Sequence, residues 1–128
     1  MTLEELENDV WPETTEESYL IKTCHTLRKK PIQNFEIEDF RIMIGQNIGL
    51  LYLIPIAIDV LNKNILAEGH YYEGDLLSSV LTSDSHFWRQ NPELFQRLER
   101  IISSNTKQLQ DNEPTLLVRF KELKLNVT

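Results

Sequence analysis

Helix start signals recur along the whole chain, and this pattern constrains the fold more than any other feature. Thr2 and Thr14 are each followed three residues later by Glu, and Asn91 precedes a proline suited to the first turn of a helix. After each of these signals, apolar residues recur at spacings of three and four residues, whereas a sustained alternation of apolar and polar residues, which is typical of strands, is nearly absent. The sequence therefore predicts an all-α bundle of about six to seven helices.

Length and composition predict one domain that spans residues 1–128. With 128 residues, of which 41% are hydrophobic, the chain is long enough to bury a single core. Its longest apolar run, Leu50 to Ile58, is far shorter than the ~20 residues that cross a bilayer. The first residues lack the charge and the apolar stretch of a secretory signal, and Cys24 has no partner for a disulfide. We expect a cytoplasmic protein with no membrane association.

The predicted helices follow from local start signals and from the apolar spacing behind them. Pro55 lies inside one of them and implies either a kink or a late start near Ile54. The tail 115–128 fits a strand or a helix, and we favour a helix because an isolated strand has nothing to pair with. The predicted starts are Thr2, Thr14, Phe35, Leu50, Asp75, Ser83 or Asp84, and Asn91.

The net charge of −7 is concentrated at one end of the chain. The first 17 residues hold seven acids and no base, while the rest carries 13 acids and 13 bases. A solvated tail would give the same count, but apolar residues such as Trp11 and Tyr19 favour a segment that docks. An acidic patch attracts basic partners and repels nucleic acid. The one basic run, Arg28 to Lys30, is explained by the C-terminal end of a helix, so we expect no nucleic-acid binding.

No group of residues predicts catalysis, a metal site or a cofactor. The residues 84–86 include Asp, Ser and His, but consecutive side chains point apart and a helix start explains them better. Cys24 and His25 are adjacent, without a second pair at zinc spacing. His70 lies among carboxylates and aromatics in the glycine-bearing loop 67–74, which fits a surface cluster.

Several stretches resemble a family of small bacterial immunity proteins from contact-dependent growth inhibition systems. The most specific part of the resemblance runs from Gly45 to Leu77, and it thins after about residue 90. The stretches that carry it are residues 1–9, 20–31, 39–50, 52–55, 66–69 and 74–77.

The resemblance implies an inhibitor without chemistry of its own. Such a protein binds the C-terminal toxin domain of a large surface exoprotein in the cytoplasm and blocks it. These toxins are frequently nucleases, and this helical group is similar to the partners of RNA-cleaving toxins of the EndoU type. The implied partner is thus a basic toxin domain.

Charge and resemblance together suggest which residues contact that toxin. A nuclease holds a basic groove for phosphates, and an acidic inhibitor can occupy it by mimicking their charge. Carboxylates would serve as phosphate surrogates, with tyrosines as amphipathic anchors. The predicted contact residues are Glu13, Glu16, Glu17, Glu68, Tyr71, Tyr72, Glu73 and Asp75.

Two other function classes stay open on the sequence. The first is an acidic helical adaptor or regulator that binds another basic protein with no toxin involved. The second is a small hydrolase that uses His70 or His86. A neighbouring exoprotein gene would favour immunity over the adaptor, and alanine replacement of both histidines would test the hydrolase.

Overall fold

The computed structural model describes residues 1–12 and 18–128. Over these residues the chain is helical without a β-strand, which confirms the all-α prediction. The described part holds nine α-helices, more than the six to seven predicted, because a separate helix at Thr106–Asn112 and the helix of the tail add to the seven predicted starts. The helices are α1 (Leu3–Glu7), α2 (Tyr19–Arg28), α3 (Ile37–Gly45), α4 (Leu50–Lys63), α5 (Asp75–Leu81), α6 (Ser85–Gln90), α7 (Pro92–Ser104), α8 (Thr106–Asn112) and α9 (Pro114–Val127), with a short 3₁₀ turn at Ile32–Asn34.

Local capping signals place several helix starts correctly. The N–H of Glu5 donates to Thr2 Oγ1 at 3.2 Å, and the N–H of Thr2 donates to Glu5 Oε1 at 3.0 Å, which completes the predicted capping box. Asp84 caps α6 by accepting the N–H of His86 at 3.0 Å. Pro92 is the first residue of α7, as predicted.

The start of α2 differs from the prediction. The signal at Thr14 and Glu17 lies outside the described residues, and α2 begins at Tyr19 with Ser18 as its N-cap. The Ser18 hydroxyl accepts the N–H of Ile21 at 3.5 Å, so a nearer capping residue sets the boundary.

The fourth predicted helix is uninterrupted. The helix α4 starts at Leu50 rather than near Ile54, although Pro55 lies inside it. The N–H groups of Tyr52 and Leu53 donate to the carbonyl of Gly49, so the first turn is closed before the proline is reached.

The buried side chains form one hydrophobic cluster that runs from Leu3 in α1 to Leu123 in α9. The central helix α5 packs against α3 and α9, and α4 packs against α7. Trp88 is fully buried in the cluster, and its indole N–H donates to Ser83 Oγ at 2.8 Å. The tail contributes as well, because Leu116, Phe120 and Leu123 are buried at helical spacing, which confirms the helix interpretation.

A buried arginine fastens the N-terminal segment to α2. Arg28 is 1% exposed, and its Nη1 donates to Glu7 Oε1 at 2.5 Å while Nη2 donates to the carbonyl of Asp9. Its guanidinium carbon lies 4.3 Å from the ring centroid of Trp11. The carbonyl of Met1 also accepts the N–H of Ile32 at 2.9 Å. Residues 1–12 are therefore docked, as their apolar side chains suggested. None of the helices in the described ranges is long and apolar enough to span a membrane.

Candidate protein-binding surface

The connection between α4 and α5 exposes four of the predicted contact residues. Glu68, Tyr71, Tyr72 and Glu73 lie on one loop, residues 68–73, which we call the tyrosine loop. The two carboxylates are exposed, and the tyrosines are 71% and 45% exposed. The other predicted acids, Glu13, Glu16 and Glu17, lie outside the described residues.

The side chain of Asp75 is buried and binds the backbone of the tyrosine loop instead of facing solvent. It is 2% exposed, and its carboxylate accepts the N–H groups of Gly69 at 2.6 Å, Tyr71 at 3.0 Å and Tyr72 at 3.4 Å. The helix α5 begins at Asp75, where a start is predicted, but its N-cap is Gly74 and the Asp75 side chain accepts N–H groups of the preceding loop rather than capping the helix. Asp75 therefore shapes the loop on which the exposed side chains stand.

Glu38 of α3 also binds the backbone of this loop. Its Oε1 accepts the N–H of His70 at 2.9 Å, and its two oxygens accept Nε and Nη2 of Arg41 at 2.6 Å each. A Cβ at Gly69 would lie 2.5 Å from Glu38 Oε1, so the absence of a side chain at Gly69 lets this carboxylate approach the loop backbone closely. The hydrogen bonds from Arg41 lower the pKa of Glu38 against the opposing effect of burial.

Arg41 connects this carboxylate pair to an exposed aromatic ring. Its guanidinium carbon lies 4.3 Å from the ring centroid of Tyr71, and its Nε lies 3.9 Å from Asp75 Oδ2. Sequence reasoning missed both Arg41 and Glu38. Their i, i+3 spacing on α3 indicates an ordinary helix-surface pair, and no local pattern connects them to a loop about thirty residues later.

A cleft of about 500 Å³ separates the tyrosine loop from the start of α2. Tyr19, which is 81% exposed, and Leu20, which is 40% exposed, line it from α2. Ile42 lines it from α3, and His70 and Tyr71 line it from the loop. The exposed start of α2 and the tyrosine loop thus border one concave surface.

Among the residues considered for catalysis, the structure shows a helix cap, an exposed histidine and a buried cysteine. Asp84 caps α6, and His86 donates its backbone N–H to that cap. His70 is exposed, with Nδ1 3.7 Å from Glu38 Oε2. Cys24 is buried, and burial raises the pKa of its thiol. Within residues 1–12 and 18–128, no cluster of His, Cys, Asp or Glu could hold a metal ion.

The fold and this surface define an acidic all-α protein whose exposed tyrosines and carboxylates suit protein binding. The sequence profile of the CDI immunity proteins matches residues 5–98, and the chain belongs to this family. It is accordingly a toxin-neutralising immunity protein, from a family whose members generally inhibit without catalysis. Comparison with curated proteins and with solved structures gives no match.

Proposed function

We propose that this immunity protein binds its cognate toxin domain through the tyrosine loop together with the acidic residues Glu13, Glu16 and Glu17. The toxin is a basic nuclease, an RNase of the EndoU type, and binding takes place in the cytoplasm. Asp75 acts in this proposal as the support of the loop rather than as a contact.

One observation carries the proposal: two exposed tyrosines stand between two exposed carboxylates on a loop whose backbone is held by buried acceptors. Glu68 and Glu73 make no ion pair with another described residue, so their charge is available to a partner. Tyrosines bordered by carboxylates suit a basic protein surface, since aromatic rings anchor an interface and complementary charge accelerates encounter.

The start of α2 adds to this argument. Tyr19 lines the cleft that the tyrosine loop also borders, and it is the second residue after Glu17 in the sequence. The carboxylates of both predicted contact stretches would favour association with a nuclease groove built to bind phosphates.

The test is a double charge reversal, Glu68→Lys with Glu73→Lys. We expect the association rate with the purified C-terminal domain of the neighbouring exoprotein to fall about tenfold at low salt, because steering is lost. The salt dependence of that rate should flatten. Stopped-flow fluorescence at several ionic strengths measures both.

The matched control is the pair Glu93→Lys and Glu122→Lys, on α7 and α9. These exposed glutamates change the net charge by the same amount but line neither the loop nor the cleft. If both double variants slow association equally, total charge rather than this surface governs binding and the proposed surface is wrong.

Coexpression decides between a toxin partner and the adaptor alternative. Survival of cells that make the toxin domain together with this chain supports immunity, and an RNA-cleavage assay of that domain tests its nuclease character. Protection against a toxin that cleaves no RNA would contradict the EndoU assignment while leaving the immunity function in place.

A further inference from the structure

Tyr71 is the most exposed aromatic residue of the tyrosine loop, yet its ring has a defined support. Tyr71 is 71% exposed, and the guanidinium carbon of Arg41 lies 4.3 Å from the centroid of its ring. An exposed tyrosine without such a support would sample several rotamers and would lose that freedom on binding.

Arg41 is itself fixed in place. Two of its N–H groups donate to Glu38 at 2.6 Å, and its Nε also lies 3.9 Å from Asp75 Oδ2. These contacts use the edge of the guanidinium and leave its flat face for the ring. A lysine at this position would keep the charge but could not bond the carboxylate along an edge and present a planar face together.

We propose that Arg41 is a positioning residue for toxin recognition, which holds the Tyr71 ring in the orientation that the toxin binds. This inference rests on the proposed function, because it takes Tyr71 as a toxin contact. The toxin would meet an aromatic side chain whose conformational freedom is already reduced.

A purely structural role for Arg41 would require it to hold the loop backbone. The backbone is held by other groups, because Asp75 accepts three N–H groups of the loop and Glu38 accepts the fourth. The described hydrogen bonds of Arg41 go to Glu38, not to the loop backbone. The backbone and the ring of Tyr71 thus have separate supports.

The experiment is a double-mutant cycle of Arg41→Lys and Tyr71→Ala. Binding to the purified C-terminal domain of the neighbouring exoprotein is measured by titration calorimetry. We expect Arg41→Lys to weaken the Kd about three- to tenfold, the range given by ordering one side chain. Tyr71→Ala should weaken it more, and the double variant should match Tyr71→Ala alone, because Arg41 acts only through that ring.

Amide hydrogen exchange supplies a readout that a structural role would move. In Arg41→Lys we expect the N–H groups of Gly69 and His70 to keep their protection, since Asp75 and Glu38 still accept them. The matched control is Arg97→Lys. Arg97 pairs with Asp59 at 2.9 Å and does not line the cleft, so this variant should bind like the wild type.

Three results would overturn the role of Arg41 without affecting the proposed surface. They are wild-type binding by Arg41→Lys, additive effects of Arg41→Lys and Tyr71→Ala on the binding free energy, and loss of hydrogen-exchange protection at Gly69 and His70 in Arg41→Lys. The proposed surface fails separately if Tyr71→Ala and the Glu68→Lys, Glu73→Lys variant both bind like the wild type.

Discussion

Glu38 keeps its charge although it is 8% exposed. Arg41 occupies both carboxylate oxygens, and the backbone N–H of His70 adds a third hydrogen bond. These donors lower the pKa of Glu38, with Arg41 as the largest cause. The side chain that supports the tyrosine loop is therefore ionised at neutral pH.

We expect Glu38→Gln to destabilise the protein by about 1–3 kcal/mol at pH 7, because Arg41 loses its charged partner. The lowered folded-state pKa means that ionised Glu38 stabilises the fold above its ordinary pKa of 4.5. That contribution disappears as the pH falls through the folded-state pKa of Glu38. The difference in the free energy of unfolding between wild type and variant should therefore become smaller in acid. Urea denaturation between pH 7 and acidic pH measures it.

Glu68→Gln is the control for this pH series, because Glu68 is exposed and forms no described ion pair. Its stability should follow the wild type at every pH. A gap between wild type and Glu38→Gln that stays constant down to acidic pH would contradict the role given to the Arg41 contact.

Cys24 is expected to be inert in the folded protein. It is 4% exposed, and burial raises the pKa of its thiol, so little thiolate is available to react. A chromogenic disulfide reagent should leave the folded chain unmodified and label one thiol per chain after unfolding. Rapid labelling of the native protein would show that α2 opens readily at this position.

At the scale of elements, Gly74 sets the start of α5. Its φ of +88° is left-handed, and a Cβ there would lie 2.9 Å from Leu116 Cδ1 on α9. We expect Gly74→Ala to cost about 1–3 kcal/mol and to lower the thermal unfolding midpoint. Differential scanning calorimetry measures the shift.

Gly45→Ala is the matched glycine control. Gly45 ends α3, and a Cβ there would meet only Ser79 Oγ at an ordinary 3.6 Å. That variant should be as stable as the wild type or slightly more stable, since alanine favours helix. Equal losses of stability in both variants would mean that the left-handed backbone at Gly74 is not the cause of the destabilisation.

The sequence predicts elements whose signals are local. Thr2 and Asp84 start helices as expected, because each capping side chain and the N–H group that it accepts lie within one turn. The helix that follows Asn91 also starts as expected, with Pro92 as its first residue. The roles of Asp75 and Arg28 could not be predicted from local signals. Asp75 resembles a helix cap and Arg28 a C-terminal helix charge, but each is buried by a contact with a different segment.

The same distinction applies to the candidate surface. Glycines and tyrosines in one short stretch predict the exposed loop, and the structure places it there. Glu38 and Arg41 bind that loop only after α3 packs against α5, a tertiary contact that no residue pattern near position 38 announces. The exposed loop could therefore be predicted from the sequence. The contacts that Glu38 and Arg41 make with it could not.

At the scale of the molecule, the core extends past the family match. The profile ends at residue 98, but Leu109, Leu116, Phe120 and Leu123 belong to the same hydrophobic cluster as Leu3. We propose that residues 1–128 unfold as one cooperative unit.

Phe120→Ala tests this proposal. Phe120 stacks on Phe95 with ring centroids 5.9 Å apart, so truncation should cost about 3–5 kcal/mol in a single urea transition. Val118→Ala, at a side chain that is 53% exposed on the same helix, should cost less than about 0.5 kcal/mol. A separate early transition in Phe120→Ala would show that the tail unfolds on its own.

Trp11, which lies against the buried Arg28, can serve as a fluorescence reporter of toxin binding. The chain has two tryptophans. Trp88 is fully buried in the core, while Trp11 is partly exposed and lies against Arg28 and His25. In a Trp88→Phe protein, emission would come from Trp11 alone. Docking of a toxin beside that indole would then be visible as a change in intensity, without any attached dye.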